Sequence, residues 1–195
     1  MPTRETIQTA GDYDLGEVAI LGSSGDVVNI TEQVQELNIF QAIDSPFMYG
    51  SIMINDAVGA ASIIPILGQE RLLFSLRTPG TFAIDFDTYN AVIYNVDKRF
   101  QGTNRGQTLL LSFTTLENYR NTRTKVSKSF QATPSQIAEE LLADSRYLGC
   151  KKALHIDNSI HINNYVAPNI SPYQVINTMA KHAVTPENQP HLLFF

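Results

Sequence analysis

Residues Glu36–Gly80 read ELNIFQAIDSPFMYGSIMINDAVGAASIIPILGQERLLFSLRTPG, two strands, a short apolar connector and a third strand in succession. In Gly50–Asp56, Ile52 and Ile54 fall on one face and Ser51, Met53 and Asn55 on the other. In Arg71–Arg77, Leu72, Phe74 and Leu76 face one way and Arg71, Ser75 and Arg77 the other. A period of two marks half-buried antiparallel strands. Between them Ala57–Ile64 is small and apolar and ends at Pro65, and Leu67-Gly68-Gln69 reads as a turn back into the sheet.

Strands continue on both sides of this block. Glu17–Leu21 and Asp26–Ile30 flank Gly22-Ser23-Ser24-Gly25, the composition of a hairpin turn. Val34–Ile43 follows as a strand whose apolar phase slips between Leu37/Ile39 and Phe40/Ala42, which a bulge or burial on both faces would explain. Thr81–Asp87, Tyr89–Val96 and Gln107–Leu116 complete the set, with Gly102–Gly106 as the last turn. About seven or eight short strands at this spacing, without crossover helices, predict an antiparallel barrel or sandwich, and closure into a barrel would remove exposed edges.

Past Leu116 the pattern changes. Thr133-Pro134-Ser135-Gln136 and Ser171-Pro172-Tyr173-Gln174 each put a hydroxyl at a helix N-cap, proline at the first helical position and glutamine at the third. The first predicts a helix bearing Ile137, Leu141 and Leu142 that stops near Gly149; the second bears Val175, Ile176 and Met179. Leu154–Asn163 reads as one or two short strands. The chain closes on His191-Leu192-Leu193-Phe194-Phe195, which reads as the start of a strand continuing beyond Phe195. The expected fold is therefore mainly β with a smaller α+β part: a β-barrel over 1–116, then an α+β module over 117–195, incomplete at its C-terminal end.

The 43% hydrophobic and 17% charged content describes a chain folded nearly throughout. The net charge of −5 conceals an asymmetry. Before residue 94 only Arg4, Arg71 and Arg77 oppose a large acidic excess, whereas from Tyr94 to Lys128 seven cations (Lys98, Arg99, Arg105, Arg120, Arg123, Lys125, Lys128) face only Asp97 and Glu117. A single cysteine, Cys150, excludes an internal disulfide and a cysteine-rich zinc site, as expected of synthesis in a reducing cytoplasm. Met1–Asp14 is polar and unlike a secretory signal, and no run reaches the ~18 apolar residues of a membrane span, so no membrane insertion is expected.

Asn38-Ile39-Phe40, Asp44-Ser45-Pro46, Gly50-Ser51-Ile52, Asn55-Asp56-Ala57, Pro65-Ile66-Leu67-Gly68-Gln69-Glu70 and Thr78-Pro79-Gly80, in this order, resemble the N-terminal barrel of baseplate central hub proteins of contractile-tailed phages, the T-even type. From Glu117 onward the likeness is in helix order only. The resemblance implies a homotrimer whose ring, two barrel modules per subunit, mimics a six-fold tail tube. It further implies a tube or tube-initiator protein above, a cell-puncturing spike below, baseplate wedge proteins around, DNA passing through, and a place in the virion after synthesis in the host cytoplasm.

Candidate chemistry is weak beside this. His155, Asp157 and His161 could share a strand face but lack a third well-spaced ligand, so no metal or other cofactor is expected. Glu139 and Glu140 are about 100° apart on a helix, and Asp85 and Asp87 flank Phe86 as a wet strand face does. Neither pair suits glycoside hydrolysis, and no enzymatic activity is expected. No phosphate loop, nucleophile elbow or dinucleotide fingerprint is present. The basic stretch Arg120–Lys128, with Arg123 and Lys125, reads first as a solvated linker; it could also bind phosphates or meet the acidic half of a neighbouring subunit. Phe47, Met48 and Tyr49, large apolar groups at a turn, either dock a neighbour or tuck back into the barrel. A carbohydrate-binding or adhesin β-domain is the alternative, disfavoured by the absence of tryptophan.

Overall fold

The computed structural model describes residues 13–42, 45–56, 66–78, 84–85, 91–101, 107–187 and 189. It is mainly β with a helical part, as the strand and helix patterns predict. The chain forms two compact units: Met1–Phe40 with Met48–Thr115, and Gln41–Phe47 with Leu116–Phe195.

In the first unit the strands are β1 (Asp14–Leu15), β2 (Ala19–Leu21), β3 (Val27–Asn29), β4 (Val34–Phe40), β5 (Tyr49–Asp56), β6 (Arg71–Leu73), β7 (Ser75–Arg77), β8 (Ile84–Asp85), β9 (Ala91–Gln101) and β10 (Gln107–Thr115). Seven form one antiparallel sheet in the order β3-β2-β6-β9-β10-β5-β4, and β1-β7-β8 form a second. Among the described residues no ladder joins β3 to β4, so the expected closed barrel is an open sheet here. Alternation works as expected in β5 and β10. Ile52, Ile54, Leu109, Leu111 and Phe113 are fully buried, and with Val18, Ile20, Ile30, Leu72 and Ile93 they make one core.

Two further expectations need correction. The run Arg71–Arg77 is not one strand: it breaks at Phe74, with β6 in the large sheet and β7 in the small one. Phe74 is fully buried at that corner, edge-on to Phe113 with ring centroids 5.6 Å apart. The phase slip in β4 is not a bulge at Phe40. Leu37 and Ile39 pack on the core while Phe40 points outward, 60% exposed, and the register shift falls between Val34 and Glu36. The residues of the predicted strand Thr81–Asp87 other than Ile84–Asp85, the Gly102–Gly106 turn and the apolar ending Leu192–Phe195 lie outside the described residues.

The second unit holds α1 (Leu116–Arg123), β11 (Val126–Ala132), α2 (Pro134–Ala143), β12 (Asn163–Ile170) and α3 (Pro172–His182). β11 and β12 pair antiparallel. Both capping motifs act as read. The Thr133 amide donates to Gln136 Oε1 and the Gln136 amide to Thr133 Oγ1, and the Ser171 amide donates to Gln174 Oε1. These satisfy amides that a helix start leaves without partners. The helices bury Ile137, Leu141, Leu142, Val175, Ile176 and Met179 against Val126, Phe130 and Ala167 of this two-stranded sheet. Helix α2 ends at Ala143, earlier than Gly149, because the Asp144 amide closes the last turn onto Glu140 and the backbone then turns extended. Leu154–Ile162 forms no strand; Leu154 and Ile156 instead pack irregularly on this core.

Candidate assembly surfaces

The registers of β4, β5, β10 and β9 define a face turned away from the core. Phe40, Tyr49, Thr114 and Val92 form one row, exposed at Phe40 and Tyr49 and buried at Thr114 and Val92; Asn38, Ser51, Ser112 and Asn95 form the next, and Glu36, Met53, Leu110 and Lys98 a third. The middle row is a hydrogen-bonded polar ladder. Asn38 Nδ2 donates to Ser51 Oγ at 3.3 Å and to Glu36 Oε1 at 2.7 Å, while Ser112 Oγ and Asn95 Nδ2 donate to the two carboxylate oxygens of Asp97. Asp97 reaches this position because β9 bulges between its pairings with Leu110 and Leu111. These hydrogen bonds, two of them between strands, order the polar middle row although it is wet.

Among the described residues, β4 and the part of β9 beyond Tyr94 are edges of this four-stranded strip. β4 pairs only with β5, and β6 pairs with β9 only at Val92 and Ala91, leaving β9 from Tyr94 onward without a second ladder among the described residues. At the point where β6 leaves β9 lies the Leu67–Gln69 turn. The amides of Leu67, Gly68 and Gln69 all donate to the Glu70 carboxylate, at 2.8, 2.9 and 3.1 Å, and Glu70 is 1% exposed. The Glu70 carbonyl accepts from the Ile93 amide, which fastens the turn to β9. Nothing in the alternation of the strands foretells this cradle. The one signal is an acid directly after Leu-Gly-Gln.

The singled-out apolar residues separate. Phe47 is 5% exposed, its ring edge-on to Tyr173 of α3 at 5.3 Å. Met48 packs partly on the first core, and its carbonyl accepts from Thr114 Oγ1 and the Thr115 amide. Tyr49 is exposed at the end of β5. The basic residues separate too. The stretch is not a linker, since it runs through α1 and into β11. Arg120 is half-buried and donates to the carbonyls of Leu148 and Gly149, clamping the chain after α2. Arg123 is exposed and lies over the Tyr119 ring, and Lys125 is exposed between α1 and β11. Within α1, Glu117 is 4% exposed and paired with Lys152 at 3.4 Å.

His155, Asp157 and His161 are exposed, and among the described residues no group of three or more metal-ligating side chains converges. Glu139 is exposed and Glu140 pairs with Lys128, as expected of a solvated helix face. The Asp85 side chain and Asp87 fall outside the described residues. Burial pushes the Cys150 thiol upward, away from the reactive thiolate.

No family model and no curated protein matches the chain. Among solved structures, the fold is similar to that of a tail protein from Neisseria meningitidis MC58, with a TM-score of 0.50 and 12% identity over 90% of this chain and 49% of that one. A chain of the lidded PdpA–VgrG complex of Francisella aligns with a TM-score of 0.47 and 9% identity, over 83% of this chain and 24% of that one. The chain thus spans about half the length of the tail protein.

Proposed function

We propose that the chain is a structural subunit of a contractile tail, the N-terminal part of a ring-forming baseplate hub, and that its work is assembly rather than catalysis. The likeness in fold to the Neisseria tail protein over 90% of the chain carries this reading. The Glu36–Gly80 pattern supports the narrower hub role. In this reading copies of the chain form a homotrimeric ring coaxial with the tube in the virion. The tube or its initiator lies above, the spike below, wedge proteins surround it, and DNA passes through.

A four-stranded strip with two edges and an ordered outer face has the properties such a subunit needs, because edges and faces can be repeated around an axis. The first unit carries most of the acidic residues, and an acidic wall would repel DNA phosphates rather than adsorb them. Cryo-electron microscopy of intact tails carrying a tagged copy tests the proposal. A three-fold ring on the tube axis is expected; a monomer, or a position out on a fibre, would overturn it.

A further inference from the structure

We infer that the cationic end of α1, built from Arg123 over Tyr119 and from Lys125, is a docking surface for a second copy of this chain, and that what it takes is Glu32, Glu36 and Phe40 of that copy; the inference rests on the ring-forming reading above. Charge is divided between the two units: the first holds twelve acidic residues against six basic, the second seven against eight. Within the second unit most cations are already spent. Lys128 pairs with Glu140, Arg146 with Asp144 and Lys152 with Glu117, while Arg120 donates to backbone carbonyls. Arg123 and Lys125 are exposed and meet no acid among the described residues.

Arg123 is nonetheless held in place. Its guanidinium lies over the Tyr119 ring, 5.0 Å from the centroid, and donates to the Tyr119 hydroxyl. One turn back, the Arg120 clamp fastens the helix to the chain at Leu148 and Gly149. A cation presented in this way loses little freedom on binding, and arginine beside tyrosine is the pairing that carries a disproportionate share of interface energy.

Charge complementarity selects the occupant. Glu32, in the turn before β4, and Glu36, within β4, are exposed acids that meet no cation among the described residues, and Asn38 Nδ2 orients Glu36 at 2.7 Å. Phe40 lies on the same outward face of β4 as Glu36 and stands opposite Tyr49; the two rings are 60% and 40% exposed. Two acids followed by an aromatic pair are the counterpart of two cations beside a tyrosine ring, so acid meets base and ring meets ring. A phosphate backbone would engage the cations but presents charge alone and leaves the ring unmatched. The contact uses side chains of a face and adds no strand to an edge. Because the second unit of one copy meets the first unit of the next, it is heterologous and repeats around an axis.

Sedimentation equilibrium and native mass spectrometry of the purified chain test this, with far-ultraviolet circular dichroism to verify folding. The wild type is expected to self-associate, and to do so more weakly as salt rises from about 50 to about 500 mM. Arg123→Glu/Lys125→Glu and Glu32→Lys/Glu36→Lys, all at exposed sites, should each weaken association at least about tenfold, and the chain carrying all four changes should regain most of it. Should a reversal alter the spectrum, Arg123→Gln/Lys125→Gln and Glu32→Gln/Glu36→Gln take its place and should weaken association by a smaller factor. A wild type monomeric to about 100 µM overturns the inference. So do double variants that associate as the wild type does, or a fourfold variant that regains nothing. Binding of labelled duplex DNA that Arg123→Glu/Lys125→Glu abolishes while self-association is unchanged would show phosphates to be the occupant and overturn it too. The ring-forming reading is decided separately, by the position of the protein in the tail.

Discussion

Replacing Gly50 with alanine would strike the strip at its tightest point. Gly50 lies in β5 opposite both Ile39 and Phe113, and a methyl group there would stand 2.5 Å from the Asn38 carbonyl oxygen and well inside contact with Phe113 Cζ. Two favourable terms accompany the change. A buried methyl contributes about 0.8 kcal/mol, and the unfolded chain loses freedom worth roughly 0.4–1 kcal/mol. Against them stand two clashes, one with backbone that belongs to the β4 ladder and one with a ring that is 1% exposed and edge-on to Phe74. Overpacking of a dense core costs typically about 1–3 kcal/mol and occasionally more. With both clashes counted, at about 2–6 kcal/mol against about 1–2 kcal/mol of favourable terms, the net loss should be up to about 5 kcal/mol, read as a lower urea midpoint at unchanged slope. Gly50→Ala/Phe113→Leu should then cost less than the two single changes added, since trimming the ring relieves one clash while the Asn38 carbonyl remains. A Gly50→Ala chain with an unshifted midpoint, or strict additivity in the double variant, would refute the argument.

Two further outcomes concern the second unit. Lys152→Met strands the buried Glu117 carboxylate and should destabilise the chain by about 3 kcal/mol, with Glu117→Gln/Lys152→Met markedly less damaged, both measured by thermal denaturation. Arg120→Ala removes the donor to the Leu148 and Gly149 carbonyls and should cost about 1–3 kcal/mol. Faster amide exchange around residues 147–150 should accompany it, while Arg123→Ala and Lys125→Ala at exposed sites leave exchange there unchanged.

The central strands are legible because Ile52/Ile54 and Leu109/Leu111/Phe113 alternate against polar neighbours, and because each faces one core. The break at Phe74 is not legible: Leu72, Phe74 and Leu76 keep perfect alternation through it, with no glycine or proline to mark a corner. Helix α1 escapes for the opposite reason. Its buried residues are Glu117 and Asn118, so it has no apolar stripe to read. Leu154–Ile162 imitates a strand because Leu154 and Ile156 do turn inward, but among the described residues no partner strand lies beside them. At the assembly surfaces, Phe47 meets an aromatic ring far away in the sequence, and Glu70 acts on the amides just before it. Neither relation has a period for a pattern to reveal.

The divided run at Phe74 also sets how the first unit can open. Among the described residues the sheet β1-β7-β8 is held by four residue pairs, Asp14↔Arg77, Leu15↔Leu76, Ser75↔Asp85 and Leu76↔Ile84, and shares no ladder with the seven-stranded sheet. Fraying that starts there meets the Phe74 ring, locked against Phe113, before it reaches Leu73. The small sheet can thus come undone and re-form as a unit of its own while the larger one stays intact.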